Sequence, residues 1–369
     1  MNSAPAAIPK RWQQFFDTLH KSTQKKFRMK NFYFFLICLS LFSCNEPKSS
    51  LKNSSIATNY TLDTNWNQKC NIHIISQPTG IGVDSNNHIF VFQRTGRKWT
   101  NPFPDSLISL NTIFEFDNLT GKVINSWGAN YFIMPHGLTV DKDNNIWVTD
   151  VGLHQIFKFS HEGKLMMKLG IAKVPGNDSL HFNLPTDIAF ANDGSFYVSD
   201  GYGNSRVVKF SSTGKFIKTW GSYGKKNGQF IIPHGIAIDE KDIIYVADRQ
   251  NNRIQLFDTS GTFLKELKNN EQVEQLPSVS IDHHNKLFAI DYDPRKNADS
   301  TVKGSTFFEF DSSHNVGMHC GVSATNKRTS CWFHDIAIDN EGNVYVGDII
   351  GLKVFKFKPI SKNKLTKNE

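Results

Sequence analysis

Six phrases of one pattern follow one another along this chain, and they constrain its fold more than any other feature. They are QPTGIGVDSNNHIFVFQR from Gln77, MPHGLTVDKDNNIWVTDV from Met134, LPTDIAFANDGSFYVSDG from Leu184, IPHGIAIDEKDIIYVADR from Ile232, LPSVSIDHHNKLFAIDY from Leu276 and WFHDIAIDNEGNVYVGDI from Trp332. Each holds two short apolar alternations around an Asp/Asn/Gly turn, the pattern of a β-hairpin. A third alternation ending in Phe follows most of them (IFKF, VVKF, IQLF, FFEF, VFKF), then often Ser-x-Gly-Lys-Phe and a fourth. Four short strands returning every 44–57 residues predict an all-β, six-bladed β-propeller. A length of 369 residues alone suggests two domains. The repeat argues for one, because a single blade cannot bury both its faces. The first phrase has no complete blade before it, so residues 60–75 are expected to supply an outer strand that closes the ring.

The segments outside the repeat read as an address. Lys25, Lys26, Arg28 and Lys30 precede an apolar run from Phe32 to Phe42 and then Ser43-Cys44. This is the order of a secretory signal, and the run is too short to cross a ~30 Å hydrocarbon core at about 1.5 Å per residue. The sequence therefore divides into a signal region at 1–43 (with Met29 as an alternative start), a polar tether at 44–59, a propeller at 60–358 and a basic tail at 359–369. The formal charge of +8 misleads about partners. Without residues 1–43 the chain keeps 35 basic and 33 acidic residues, which excludes the strong excess of a nucleic-acid binder. Export into an oxidising compartment would let Cys320 and Cys331 pair and leave Cys70 as a buried odd thiol.

In a ring, equivalent positions of the repeat lie at equal height around the central channel. The residue opening each inner strand runs Thr79, His136, Thr186, His234, Ser278, His334. Histidine falls on alternate blades, about 120° apart in a six-bladed ring, so three imidazoles are expected to meet at the axis as metal ligands. At the end of the next strand come Gln93, Asp150, Asp200, Asp248, Asp291 and Asp348, read as scaffold because they recur with the repeat. The residues just after them diverge. Arg94 and Arg249 stand on opposite blades and Tyr202 on the third, a set suited to an anionic, oxygen-rich small molecule. Asp141-Lys-Asp-Asn-Asn and Asp339-Asn-Glu-Gly-Asn look calcium-like but occupy hairpin turns and lack an EF-hand's spacing. His154, His161 and His181 fall off the inner-strand phase and are expected to be packing or surface residues. The sequence has no Gly-rich phosphate loop, nucleophile elbow or HExxH motif.

The repeat resembles the NHL-type propeller over residues 76–358, and Leu41-Phe42-Ser43-Cys44 resembles a bacterial lipobox. The latter implies lipidation of Cys44 and an exported protein anchored to a bacterial membrane, periplasmic or at the cell surface. More specifically, MPHGLTVDKDNNIWVTDVGLHQIFKF, VSDGYGNSRVVKFSSTGKF, GQFIIPHGIAI, YVADRQNNRIQLF and FHDIAIDNEGNVYVGD resemble the peptidyl-α-hydroxyglycine α-amidating lyase family. That resemblance implies Zn²⁺ on His136, His234 and His334. It implies Arg94, Tyr202 and Arg249 at the reacting centre. It also implies a structural Ca²⁺ on Asp335 and the main-chain carbonyls of Ile81 and Leu138. The reaction implied is cleavage of the C–N bond of a peptidyl- or acyl-α-hydroxyglycine to an amide and glyoxylate, with Tyr202 as base. Its substrate would come from a separate monooxygenase. Trp332-Phe333 replaces the family's usual Met-Pro before the third histidine, and Asn183, Gly203, Tyr245 and Leu256 stand where animal members carry paired cysteines. Two other readings compete: a lactonase-like metal-dependent hydrolase, and a non-catalytic NHL binding module.

Overall fold

In a computed structural model, residues 59–70, 74–268, 275–291, 305–314, 316–321 and 331–360 are described. The signal region, nearly all of the tether and most of the basic tail lie outside them. Residues 57–369 form one compact unit. Among the described residues there are six four-stranded antiparallel sheets, each in simple up-and-down order. Their inner strands are Pro78–Val83, Pro135–Val140, Asp187–Phe190, Pro233–Ile238, Val279–Ile281 and Phe333–Ile338. The ring closes as the repeat suggests. Tyr60–Leu62 is the outer strand of the last blade, with Tyr60 opposite Pro359 and Leu62 opposite Phe357. A short helix, Thr64–Cys70, follows it, its first turn held by Asp63 Oδ1 on the Trp66 amide at 3.1 Å.

The turn chemistry explains why each hairpin forms where it does. Asp84, Asp141, Asp239, Asp282 and Asp339 each fold one carboxylate oxygen back onto two amides of the following turn. The fourth turn residue is left-handed in every blade: Asn87, Asn144, Gly194, Asp242, Asn285 and Gly342. Asn, Asp and Gly tolerate that conformation, so the turn sets the register of the two strands on either side.

The apolar core lies in the seams between blades. Ile81, Ile89 and Val91 of blade one pack with Ala337, Tyr345 and Val354 of blade six, over Trp66 and Cys70 of the helix. Ala189, Tyr197 and Val207 of blade three meet Ile236, Ile244 and Val246 of blade four in the same way. No blade buries its faces without its neighbours, as expected of a repeat architecture. Cys70 is fully buried as expected; Cys331 is a free buried thiol, and the side chain of Cys320, which export would let it pair with, lies outside the described residues. Burial pushes the Cys331 thiol above its ordinary range, with Asp348 adding to the rise.

At the axial ends of blades one, two and four the inner strand approaches its neighbour so closely that a glycine is required. A Cβ on Gly137 would sit 2.4 Å from the Thr186 carbonyl oxygen and 3.1 Å from the Asp187 Cα. Gly137→Ala is therefore expected to lower stability by about 1–3 kcal/mol through backbone displacement. Urea unfolding of the two proteins checks this; an unchanged midpoint would contradict the tight seam.

Candidate active site

Each histidine that opens an inner strand sits at a break in its hairpin's register. The pairing passes from Pro135–Asp150 to Leu138–Val148, from Pro233–Asp248 to Ile236–Val246 and from Phe333–Asp348 to Asp335–Gly347. One extra residue stands on the inner strand each time, and such a bulge re-aims a side chain. The acids that recur at the ends of the second strands hold the approach to it. Asp150 Oδ2 accepts the amides of Ile133 and Met134 at 2.9 and 2.8 Å. Asp248 Oδ1 accepts that of Ile231 and Asp348 Oδ1 that of Trp332. They act as scaffold, as their recurrence suggests, and they position the three imidazoles.

The three rings converge. Their centroids lie 4.7 Å (His136–His234), 4.8 Å (His136–His334) and 5.0 Å (His234–His334) apart, and all three side chains are buried. Each ring is tied to the next blade by its Nδ1: His136 to the Thr186 carbonyl at 2.8 Å, His234 to Pro277 at 2.7 Å and His334 to Thr79 at 2.7 Å. A carbonyl only accepts, so Nδ1 carries the proton and Nε2 is left as a lone pair. Burial, followed by the charges of His334 and Arg94, holds His136 well below the usual imidazole range. His234 is lowered by burial and then by His136 and Arg249, and His334 falls to about 3 through burial and Arg94. Three neutral imidazoles with oriented Nε2 atoms fit a divalent zinc-class ion, which needs deprotonated ligands fixed by outer hydrogen bonds.

Tyr202, Arg94 and Arg249 close one side of this group. The Tyr202 hydroxyl lies 3.2 Å from His136 Nε2, 2.9 Å from His234 Nε2 and 3.3 Å from Arg249 Nη1. Arg249 Nε donates to Gln275 Oε1 at 3.2 Å, and its guanidinium stands 5.9 Å over the Trp332 ring. Arg94 Nε donates to the Pro135 carbonyl at 3.2 Å, and its guanidinium stands 4.9 Å over Trp99. Burial lowers Arg94 to about 10, which leaves it charged at neutral pH. Trp99, 5.4 Å from the Tyr202 ring, comes from the connection between the second and third strands of blade one. That connection lies outside the repeat, so phase comparison did not mark Trp99. Trp332 lies against Arg249, and this is how the change before His334 enters the pocket.

Past the histidines the channel narrows between Asp187 and Asp335, then opens into a cavity of about 670 Å³ walled by the inner strands. Asp335 Oδ2 accepts the Ile81 amide at 2.8 Å and its Oδ1 the Ser278 hydroxyl at 2.7 Å. Leu138, like Ile81, lines the same cavity. Asp187, absent from the sequence reading, accepts the Ile236 amide at 3.0 Å. Burial raises both acids, Asp335 to about 7; for Asp187 the charge of Asp335 adds to the rise. Two buried acids facing one channel are the oxygen donors that a hard cation such as Ca²⁺ takes.

Comparison with known proteins gives the same direction. The 6-bladed beta-propeller family DUF5128 matches residues 173–321, and the NHL repeat matches residues 132–159. Peptidyl-glycine alpha-amidating monooxygenase B of Xenopus laevis is 37% identical over 315 residues, covering 80% of this chain and 35% of the relative. The probable peptidyl-alpha-hydroxyglycine alpha-amidating lyase of Caenorhabditis elegans is 40% identical over 195 residues, 50% of this chain and 56% of that protein. The chain is a homologue of the peptidyl-α-hydroxyglycine α-amidating lyases. It spans between about a third and about half the length of these relatives. The same ring is seen in a solved streptogramin B lyase, with a TM-score of 0.55 at 13% identity over 81% of this chain and 97% of that one, a likeness of fold alone.

The acid pair has a consequence for pH. A carboxyl whose folded pKa lies above its unfolded 3.8 holds a proton in the native chain that the unfolded chain releases. The stability linked to it is full at low pH and is lost as pH rises from 3.8 towards about 7. In chelator, the wild-type chain should lose stability between about pH 4 and 7 more steeply than Asp187→Asn. Parallel curves from thermal unfolding would contradict a coupled buried pair.

Proposed function

We propose that this chain is a zinc-dependent lyase that splits the C–N bond of a peptidyl- or acyl-α-hydroxyglycine, giving an amide and glyoxylate. The observation that carries this reading is the Tyr202 hydroxyl, set against two converging imidazoles and an arginine at the mouth of a buried channel. Homology to proteins named for this lyase activity supports it. His136, His234 and His334 would hold Zn²⁺, which supplies a Lewis acid that makes a bound hydroxyl easier to deprotonate.

The chain's own groups account for the remaining steps. Tyr202 accepts the proton of the substrate hydroxyl as general base. The C–O bond becomes a carbonyl as the C–N bonding pair leaves with nitrogen. That nitrogen takes up the proton, so R–CO–NH–CH(OH)–COO⁻ becomes R–CO–NH₂ and OHC–COO⁻. Arg249 donates to the Tyr202 oxygen, which places a cation where negative charge would form. Arg94, across the channel and stacked on Trp99, is then the arginine left for the substrate carboxylate. Asp335 with the carbonyls of Ile81 and Leu138 would hold a structural Ca²⁺, with Asp187 beside it. Formation of the hydroxyglycine is a C–H hydroxylation, so a monooxygenase must act first. Export and lipid anchoring through Cys44 belong to the same reading, on the signal pattern alone.

α-Hydroxyhippurate tests the reaction, because a lactonase-like hydrolase or a binding module releases no glyoxylate from it. Tyr202→Phe should keep its metal and fold while kcat falls by about 10²–10⁴-fold. His234→Ala should lose both zinc and turnover. Wild-type rates in Tyr202→Phe would remove Tyr202 as the base, and no glyoxylate from the zinc-loaded wild-type chain would overturn the assignment.

A further inference from the structure

In blades two, four and six the hairpin aspartate spends one oxygen on the turn and offers the other to donors on its own sheet. Asp141 Oδ2 takes Trp147 Nε1 at 2.9 Å and pairs with Lys158 at 3.3 Å. Asp339 Oδ2 takes the Tyr345 hydroxyl at 2.9 Å, and Lys356 stands opposite Tyr345 in register. Blade one departs from this at both positions. Phe90 occupies the aromatic donor's place and has no donor, and the residue opposite it is Glu115, where blades two and six carry lysine.

Asp84 and Glu115 are both buried, and two imidazoles face them. His88 comes from the same hairpin, and His161 reaches across from a turn of blade two. His161 Nε2 lies 2.9 Å from Asp84 Oδ2 and 3.9 Å from Glu115 Oε1. His88 Nδ1 lies 3.2 Å from Asp84 Oδ2 and 3.0 Å from Glu115 Oε1. That nitrogen is buried yet forms no well-aligned hydrogen bond with either oxygen. Burial raises the Glu115 carboxyl; His161 and His88 pull it back, and Asp84 adds to the rise. His161, expected to be a packing or surface residue, is half-buried and packs against these two acids.

We propose that Asp84, His88, Glu115 and His161 bind a divalent first-row metal ion of the zinc class, joining blades one and two away from the three-histidine centre. Two imidazoles and two carboxylates are a zinc-type donor set, and bonds of 2.0–2.1 Å in a tetrahedron set donors roughly 3.3 Å apart. The observed gaps of 2.9–3.9 Å bracket that value, and all four donor atoms lie within 4.8 Å of one another. Asp84 Oδ1 is fixed by the amides of Asn86 and His88, which aims Oδ2 at the two rings. The ion would neutralise the carboxylate pair and hold a blade seam together, so its role is structural.

The test is zinc stoichiometry on the full chain, stripped with chelator and titrated with Zn²⁺ alone. The wild-type chain should bind about two equivalents, and His161→Asn and Glu115→Gln about one each. His136→Ala should retain one equivalent, and zinc should raise its thermal midpoint. That rise should be absent from His136→Ala combined with His161→Asn. If the three-histidine centre holds no zinc, wild type and His136→Ala should each bind one equivalent and His161→Asn none, which still supports this site. Full wild-type stoichiometry in both His161→Asn and Glu115→Gln, or no zinc in His136→Ala, overturns it. Should His161→Asn fail to fold, Glu115→Gln and His136→Ala decide between these outcomes.

Discussion

Three hydrogen bonds, each from an imidazole Nδ1 to a main-chain carbonyl of the next blade, carry much of what this molecule is built to do. They fix the tautomer, aim each Nε2 at the others and couple the geometry of the centre to the closure of the ring. Without them a buried imidazole has two tautomers and a free torsion. With them the rings have one arrangement, and it is neutral. Bulges at the strand starts and recurring acids on the preceding amides complete the support, so the centre rests on backbone geometry that the repeat supplies.

The repeat is a background against which departures can be read. Aspartate recurs at the ends of the second strands of five blades, and in blades two, three, four and six it holds amides of the approach loop, as Gln93 does in blade one. Arg94 and Arg249 just beyond that position, and Tyr202 one residue further on blade three, depart from the repeat and meet around the three histidines. The outer cluster follows the same logic. Two blades satisfy a hairpin acid with an aromatic donor beside a lysine, whereas blade one sets a second acid and two imidazoles there.

Much of this was legible in the sequence, because ring symmetry turns register into height. Six blades, the closing strand, the three histidines, both arginines and Tyr202 all follow from comparing equivalent positions. What escaped has physical reasons. Trp99 lies in a connection with no counterpart in the repeat, so phase says nothing about it. His161 acts across a seam, from a turn whose partner lies 77 residues away. Asp187 carries a weaker signal, since it shares its phase with one other acid only. The residue after the axial one runs Gly80, Gly137, Asp187, Gly235, Val279, Asp335, and its two acids are the pair that narrows the channel.

Zinc K-edge absorption tests the centre most directly, recorded on the His161→Asn chain loaded with one equivalent so that the outer cluster contributes nothing. Three imidazole nitrogens at about 2.0–2.1 Å, with the remaining scatterers being light atoms, are the predicted result. A shell with fewer than three imidazoles, or an ion that washes away under gentle exchange, would contradict a shared ion on His136, His234 and His334.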